Sequence, residues 1–233
     1  MANFDLYSDV RYFPYGYLVH ITYYFSILFV TMLFVGKMDF KAVGLEFGFH
    51  WKRYFLVGLL FALIFHLVRV AVVNGTFSRD YYLPFELHTL VFVFLGLLIG
   101  LAEESAFRGY ILRNFLNEYK PWVSILVSSL LFGIYHINFS DPDLSWWAFY
   151  VGQAFTGGLL IGLLYYKTER NLIAPLTYHS LNIIIGQVIP WMPNVTAHYL
   201  LAIQMVINLV VTTLLLFLPL GKKQKTQKPT VSE

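Results

Sequence analysis

The sequence predicts an all-α fold, a polytopic bundle of about seven transmembrane helices. Of its 233 residues, 58% are hydrophobic and only 12% are charged, whereas a soluble domain carries about 25% charged residues. The charged residues fall in short clusters between long apolar runs. A chain with so little polar surface cannot cover an exterior that faces water, so we expect it to lie in lipid.

The length of the apolar runs predicts the individual helices. Crossing a hydrocarbon core of about 30 Å takes roughly 20 residues of helix, and this length divides the chain into segments 17–35, 54–73, 90–103 and onward, 122–137, 146–166, 172–189 and 199–218. The first segment lacks a small-residue cleavage site and is interpreted as a retained span. We expect two N-terminal helices in residues 1–87, a central core in 88–190, a last helix in 191–221 and a basic tail in 222–233.

The positions of Lys and Arg predict the orientation of the bundle. Thirteen of the sixteen Lys and Arg residues fall on one side of the predicted spans, and only Arg11, Arg69 and Arg79 fall on the other. Because positively charged loops stay in the cytoplasm, this asymmetry predicts a cytoplasmic C-terminus. The expected location is the plasma membrane of a prokaryote, with membrane lipid around the protein.

Composition also excludes some chemistry. The chain has no cysteine, so disulfides, thiolate catalysis and Cys-based metal sites are excluded. The net charge of +3 comes mainly from the lysines of the tail, which suits an anionic lipid surface and not nucleic acid. The 22 Phe and 17 Tyr residues are interpreted as side chains that face the lipid or lie at the membrane–water interface. His20 and His66 are interpreted as structural.

Ionisable residues at membrane depth are costly and usually functional, and the third segment holds the strongest example. Glu104 and Arg108 are four residues apart, hence on one helical face, where they can pair. Glu103 points about 100° away. Without that partner it is expected to accept protons as a general base. Gly96 and Gly100 continue the Glu104 face and predict a closely packed neighbouring helix.

The following segment is predicted to bring a histidine to the same height. Lys120 and Pro121 indicate the turn of a helical hairpin; Glu103 lies seventeen residues before Lys120 and His136 sixteen after it. The two side chains are therefore expected to meet. Phe132, one turn from His136, is expected to wall the site.

The sixth segment adds two polar side chains. His179 and Asn182 are one turn apart and near the middle of the predicted span, so both can face one point.

These residues resemble the motifs of the CAAX protease and bacteriocin-processing family, also called CPBP or Abi, which includes the type II CAAX prenyl endopeptidases. The resemblance rests on EExxxR at Glu103, Glu104 and Arg108, on FxxxH at Phe132 and His136, and on the later His179. The resemblance covers about residues 88–190, and it implies that they form the catalytic core.

The resemblance implies an intramembrane protease of the glutamate type. In it, Glu103 and His136 would activate the water that attacks a peptide bond, Glu104 and Arg108 would orient the site, and His179 would stabilise the oxyanion. No cofactor is implied. The substrate would be a protein or peptide, prenylated or carrying a leader peptide. The family's Asn or Asp would fall on Ile183, and this chain has Asn182 instead, so an oxyanion role for Asn182 needs a modest rotation of the helix.

Two other functions stay open. Two histidines and a glutamate could bind a catalytic metal, although no HExxH is present. A bacteriocin-immunity or scaffolding protein could instead bind peptides without cutting them. The substrate sequence and the membrane face to which the site opens are not determined by the sequence.

Overall fold

The structure, a computed structural model, describes residues 13–33, 39–76, 87–137, 144–188 and 197–220. Within these ranges the chain forms seven helices and no strand, which confirms the predicted all-α bundle. We number them α1 (Phe13–Thr31), α2 (Trp51–Thr76), α3 (Leu87–Glu104 continued by Ser105–Leu112 and Arg113–Glu118), α4 (Pro121–Tyr135), α5 (Leu144–Lys167), α6 (Ile173–Val188) and α7 (Ala197–Phe217).

The length and apolarity of the helices fit a membrane protein. Four stretches are long and apolar enough to span a bilayer: Trp51–Val72, Leu90–Glu118, Trp147–Lys167 and His198–Phe217. Ile21–Thr31 and Pro121–Tyr135 are shorter apolar helices, and α6 has 16 residues. The described part of the chain is therefore a helical membrane bundle in which some helices are shorter than a full span.

The bundle is apolar outside and partly polar inside. Large hydrophobic side chains such as Leu60, Leu130 and Leu214 are at least half exposed, whereas Glu104 and Arg108 are fully buried. A water-soluble protein would have the opposite arrangement, since exposed apolar patches of this extent cause association. The exposed surface is therefore expected to contact lipid chains.

Helix α3 changes its winding beside the polar residues. Its segment Ser105–Leu112 is π-helical, a form with wider i to i+5 turns that is rare and frequent at functional sites. The sequence analysis predicted that this segment continues beyond Glu103, and the structure extends it to Glu118. The π segment was not predicted, because hydrophobic periodicity does not distinguish an inserted residue within a helix.

The predicted turn between α3 and α4 is confirmed. Tyr119 and Lys120 have extended backbones, and Pro121 begins α4. At the first position of a helix, the fixed φ and the missing N–H of proline are compatible with helical structure. Helix α4 ends at Tyr135, so His136 caps the helix instead of lying within it. The chain after Ile137 and the aspartates Asp141 and Asp143 lie outside the described residues.

Glycines set how closely the helices that carry the polar groups approach. A Cβ on Gly100 would lie 2.2 Å from the Ser180 hydroxyl, and one on Gly96 would lie 2.5 Å from the Ile184 side chain. The predicted close packing beside these two glycines is confirmed, and the neighbouring helix is α6. Gly158 of α5 similarly touches α4 at Ser129, as expected for small residues at helix contacts.

Candidate active site

A buried ion pair forms the base of the candidate site. Arg108 Nη1 donates to Glu104 Oε1 at 3.1 Å, and the two side chains are 1% and 0% exposed. Arg108 Nη2 also donates to the Gly158 carbonyl at 3.3 Å, and the guanidinium lies 4.4 Å from the centre of the Phe132 ring. Each contact offsets part of the desolvation cost of the charge. The predicted pairing is confirmed, and it connects α3, α4 and α5.

His179 on α6 lies between the two glutamates. Its Nδ1 is 2.7 Å from Glu104 Oε1, and its Nε2 is 3.7 Å from Glu103 Oε2. An ionised carboxylate only accepts hydrogen bonds, so the Nδ1 that contacts Glu104 carries the hydrogen. Glu104 therefore holds the imidazole in an orientation that directs its other nitrogen toward Glu103.

Glu103 is buried and incompletely satisfied. Glu103 is 2% exposed, and no hydrogen-bond donor among the described residues contacts its Oε2. A buried carboxylate of this kind is suited to accept a proton.

His136 and Phe132 complete the wall on the α4 side. His136 Nδ1 is 2.8 Å from the Phe132 carbonyl oxygen. Because a carbonyl oxygen only accepts hydrogen bonds, Nδ1 is the donor, and Nε2 of the neutral imidazole has a free lone pair. The Phe132 ring centre is 4.6 Å from that of His136 and 5.9 Å from that of His179. The expected wall is confirmed. Within the described residues no ion pair or hydrogen bond joins Glu103 to His136. His136 and His179 lie around the same aromatic ring, that of Phe132.

The structure does not bring Asn182 to the glutamates. Its amide faces α2, beside His66 and the Tyr178 hydroxyl. The Asn182 Oδ1, both His66 ring nitrogens and the Tyr178 hydroxyl lack hydrogen bonds of normal geometry in the described structure. An oxyanion role for Asn182 stays a prediction that these contacts do not support. His66 is buried, at 5% exposure, as a structural histidine is expected to be.

Three tyrosines that the sequence analysis assigned to the lipid face lie near Glu103 instead. Tyr24 of α1, Tyr135 of α4 and Tyr150 of α5 all interact electrostatically with its carboxylate. The Tyr135 and Tyr150 rings also pack on His136, with centres at 5.2 and 5.8 Å. The interpretation that the tyrosines face the lipid or the membrane–water interface is wrong for these three. A weak signal existed: Tyr24 lies well inside an apolar segment, where a hydroxyl contributes nothing to contacts with lipid chains.

The arrangement provides two proton acceptors and a polarised imidazole in a dry environment. Glu103 and His136 Nε2 can accept hydrogen bonds from a water molecule, and His179 can donate toward a developing negative charge. Within the part of the chain that the structure describes, no three His, Asp or Glu side chains are arranged to hold a metal ion.

The fold and these side chains define a class: an integral membrane protein of helices with buried Glu, Arg and His side chains in contact with one another. Residues 85–185 match the family model described as type II CAAX prenyl endopeptidase Rce1-like. This segment contains Glu103, Glu104, His136 and His179, and it is similar to the type II CAAX prenyl endopeptidases. A search of curated proteins found no match.

Proposed function

We propose that the chain is an intramembrane endopeptidase that hydrolyses a peptide bond of a membrane-associated or lipidated protein with a water molecule activated by Glu103 and His136. The observation that carries the proposal is the environment of Glu103. The carboxylate is 2% exposed and lies 3.7 Å from the imidazole of His179, which Glu104 orients.

The proposed reaction assigns one role to each side chain. Glu103 accepts a proton from the water, and the hydroxide attacks the carbonyl carbon of the peptide bond. His179 acts in its protonated form, in which Nδ1 donates to Glu104 and Nε2 donates to the resulting oxyanion. The proton on Glu103 then passes to the leaving nitrogen as the C–N bond breaks. His136 Nε2 accepts a hydrogen bond from the water and fixes its position.

Glu104 and Arg108 act on the reaction through His179. The carboxylate of Glu104 accepts from both Arg108 and His179, so it keeps the imidazole in one orientation, as carboxylates that accept from the far ring nitrogen of a functional histidine commonly do. We propose that this pair orients the site without contacting the substrate.

The orientation and the location belong to the same proposal. The distribution of thirteen basic residues against three supports a cytoplasmic C-terminus, and we propose the plasma membrane of a prokaryote. A prenylated protein or a leader-peptide precursor would reach the site from the membrane, since the groups that we assign to catalysis are surrounded by apolar helices.

Peptide profiles of cells can test the proposed function. We expect cells with the His179→Ala variant to accumulate an uncut precursor that cells with the wild-type protein process, because the variant loses its oxyanion donor and keeps the Glu104–Arg108 pair. The measurement is quantitative peptidomics of membrane fractions at equal protein levels. Variant His50→Ala, which changes an exposed histidine, is the control. Identical peptide profiles in all three strains would contradict the proposal.

Chelation separates this proposal from a metal-dependent hydrolase with the same residues. We expect the purified protein to keep its cleavage rate after treatment with a strong chelator and to gain nothing from added zinc. The reason is that the proposed water is activated by a carboxylate and an imidazole alone. A loss of activity that zinc restores would identify a metal enzyme instead.

A further inference from the structure

Helix backbones lie close together on two sides of the candidate site. On the α6 side, a Cβ on Gly100 would lie 2.2 Å from the Ser180 hydroxyl. On the α5 side, a Cβ on Gly133 of α4 would lie 3.1 Å from the Val151 carbonyl. Small residues allow helices to approach this closely, and the approach leaves no room for a peptide between them. A substrate that arrives from the membrane therefore needs another route.

The boundary between α1 and α4 is built differently. Helix α1 packs along α3 and its π segment, and among the described residues it does not pack along α4. The Tyr23 hydroxyl donates to the Tyr135 hydroxyl at 3.0 Å, and this hydrogen bond joins the two helices. Tyr23 is 48% exposed, and Leu131, one turn from Tyr135 on the same face of α4, is also exposed. This boundary is therefore narrow in contact and open to lipid.

Tyr135 separates this boundary from the catalytic side chains that we assign. Its ring packs against that of His136, with ring centres 5.2 Å apart, and against that of Phe107, at 5.3 Å. His136 is itself only half-buried. A rotation of the Tyr135 side chain away from His136, after release of its hydroxyl by Tyr23, would open a path from the lipid to the imidazole.

We propose that the boundary between α1 and α4 is a lateral entrance for the substrate, and that the Tyr23–Tyr135 hydrogen bond keeps it closed. A hydrogen bond between side chains of membrane helices is weak, so it opens readily. Hydrocarbon offers the two hydroxyls no other partner, so the bond forms again after each passage. The substrate that fits this entrance is a peptide next to a lipid anchor or a membrane-spanning segment. The inference rests on the function proposed above, and it adds the route and the gating residues.

Photo-cross-linking can locate the entrance. The chain has no cysteine, so a single introduced cysteine carries a benzophenone maleimide at a chosen position. Val19→Cys of α1 and Leu131→Cys of α4 lie beside the proposed entrance, and Leu214→Cys of α7 is the matched control; all three positions are exposed. Each is combined with Glu103→Gln in liposomes, and the probe is the precursor that accumulates in cells with the His179→Ala variant. We expect several-fold more capture of the precursor beside the entrance than at the control position.

Closing the entrance chemically tests the same proposal from the opposite direction. The double variant Tyr23→Cys with Tyr135→Cys is joined by a short bis-maleimide that has a reducible spacer. We expect the joined protein to lose most of its cleavage of the precursor and to recover it on reduction. The control is Gly152→Cys with Met205→Cys, at a close contact between α5 and α7, which is expected to keep its cleavage rate when joined.

Each outcome decides the proposal. Preferential capture beside the entrance and a reversible loss of cleavage support it. Equal or greater capture at Leu214→Cys, or full cleavage by the joined protein, overturns it. If Tyr135→Cys stops cleavage before any joining, the capture experiment decides, because it leaves both tyrosines in place. Failure of the proposed function is distinguishable, since cells with His179→Ala would then accumulate no precursor and both proposals would fail together.

Discussion

Glu103→Gln is expected to lower kcat about 100- to 10,000-fold, the range found when a general base is lost. Gln has nearly the same size and shape as Glu but cannot accept the proton of the attacking water. At about 1.36 kcal/mol per factor of ten, the loss corresponds to about 3 to 5 kcal/mol of transition-state stabilisation. The measurement is single-turnover cleavage of the peptide identified in the cellular comparison, with purified protein in liposomes.

Stability distinguishes this effect from a folding defect. Glu103 has no donor on its Oε2, so the neutral amide is expected to be tolerated, and the unfolding temperature should not fall. Glu118→Gln, at an exposed position near the end of the same helix, is the matched control. Cleavage by Glu103→Gln at the wild-type rate would rule out Glu103 as the base.

Arg108→Ala is expected to destabilise the protein by about 3 to 5 kcal/mol, the cost of leaving one member of a buried ion pair alone. The change leaves the carboxylate of Glu104, which is 0% exposed, without its guanidinium partner. It also removes the contacts of Arg108 with the Gly158 carbonyl and the Phe132 ring. Thermal unfolding in detergent or liposomes measures the effect. Arg53→Ala, at an exposed arginine of α2, should leave the unfolding temperature unchanged.

A double variant separates the structural role of the pair from its role in the site. Glu104→Gln with Arg108→Met removes both charges, so most of the lost stability should return, as it does when apolar residues replace buried ion pairs. Cleavage should stay low, because His179 loses the carboxylate that orients it. A double variant as unstable as Arg108→Ala would show that the site depends on the shape of the guanidinium instead of on charge balance.

Local rules predicted much of the bundle. All seven predicted spans correspond to helices, since apolar run length and the Lys120–Pro121 turn depend on neighbouring residues alone. The pairing of Glu104 with Arg108 followed from helical spacing. Counting residues to the turn predicted that Glu103 and His136 meet, but no hydrogen bond or ion pair joins them among the described residues. Helix α4 ends at Tyr135, and His136 directs its Nδ1 to the Phe132 carbonyl.

The sequence by itself determined which residues are helical and which pairs share a face, because these follow from length and a period of 3.6 residues. Only the tertiary structure decided which faces meet. The approach of α6 at Gly96 and Gly100 places His179 between the glutamates and turns Asn182 toward α2. These outcomes depend on the rotation of each helix about its axis, which close side-chain packing between distant segments sets.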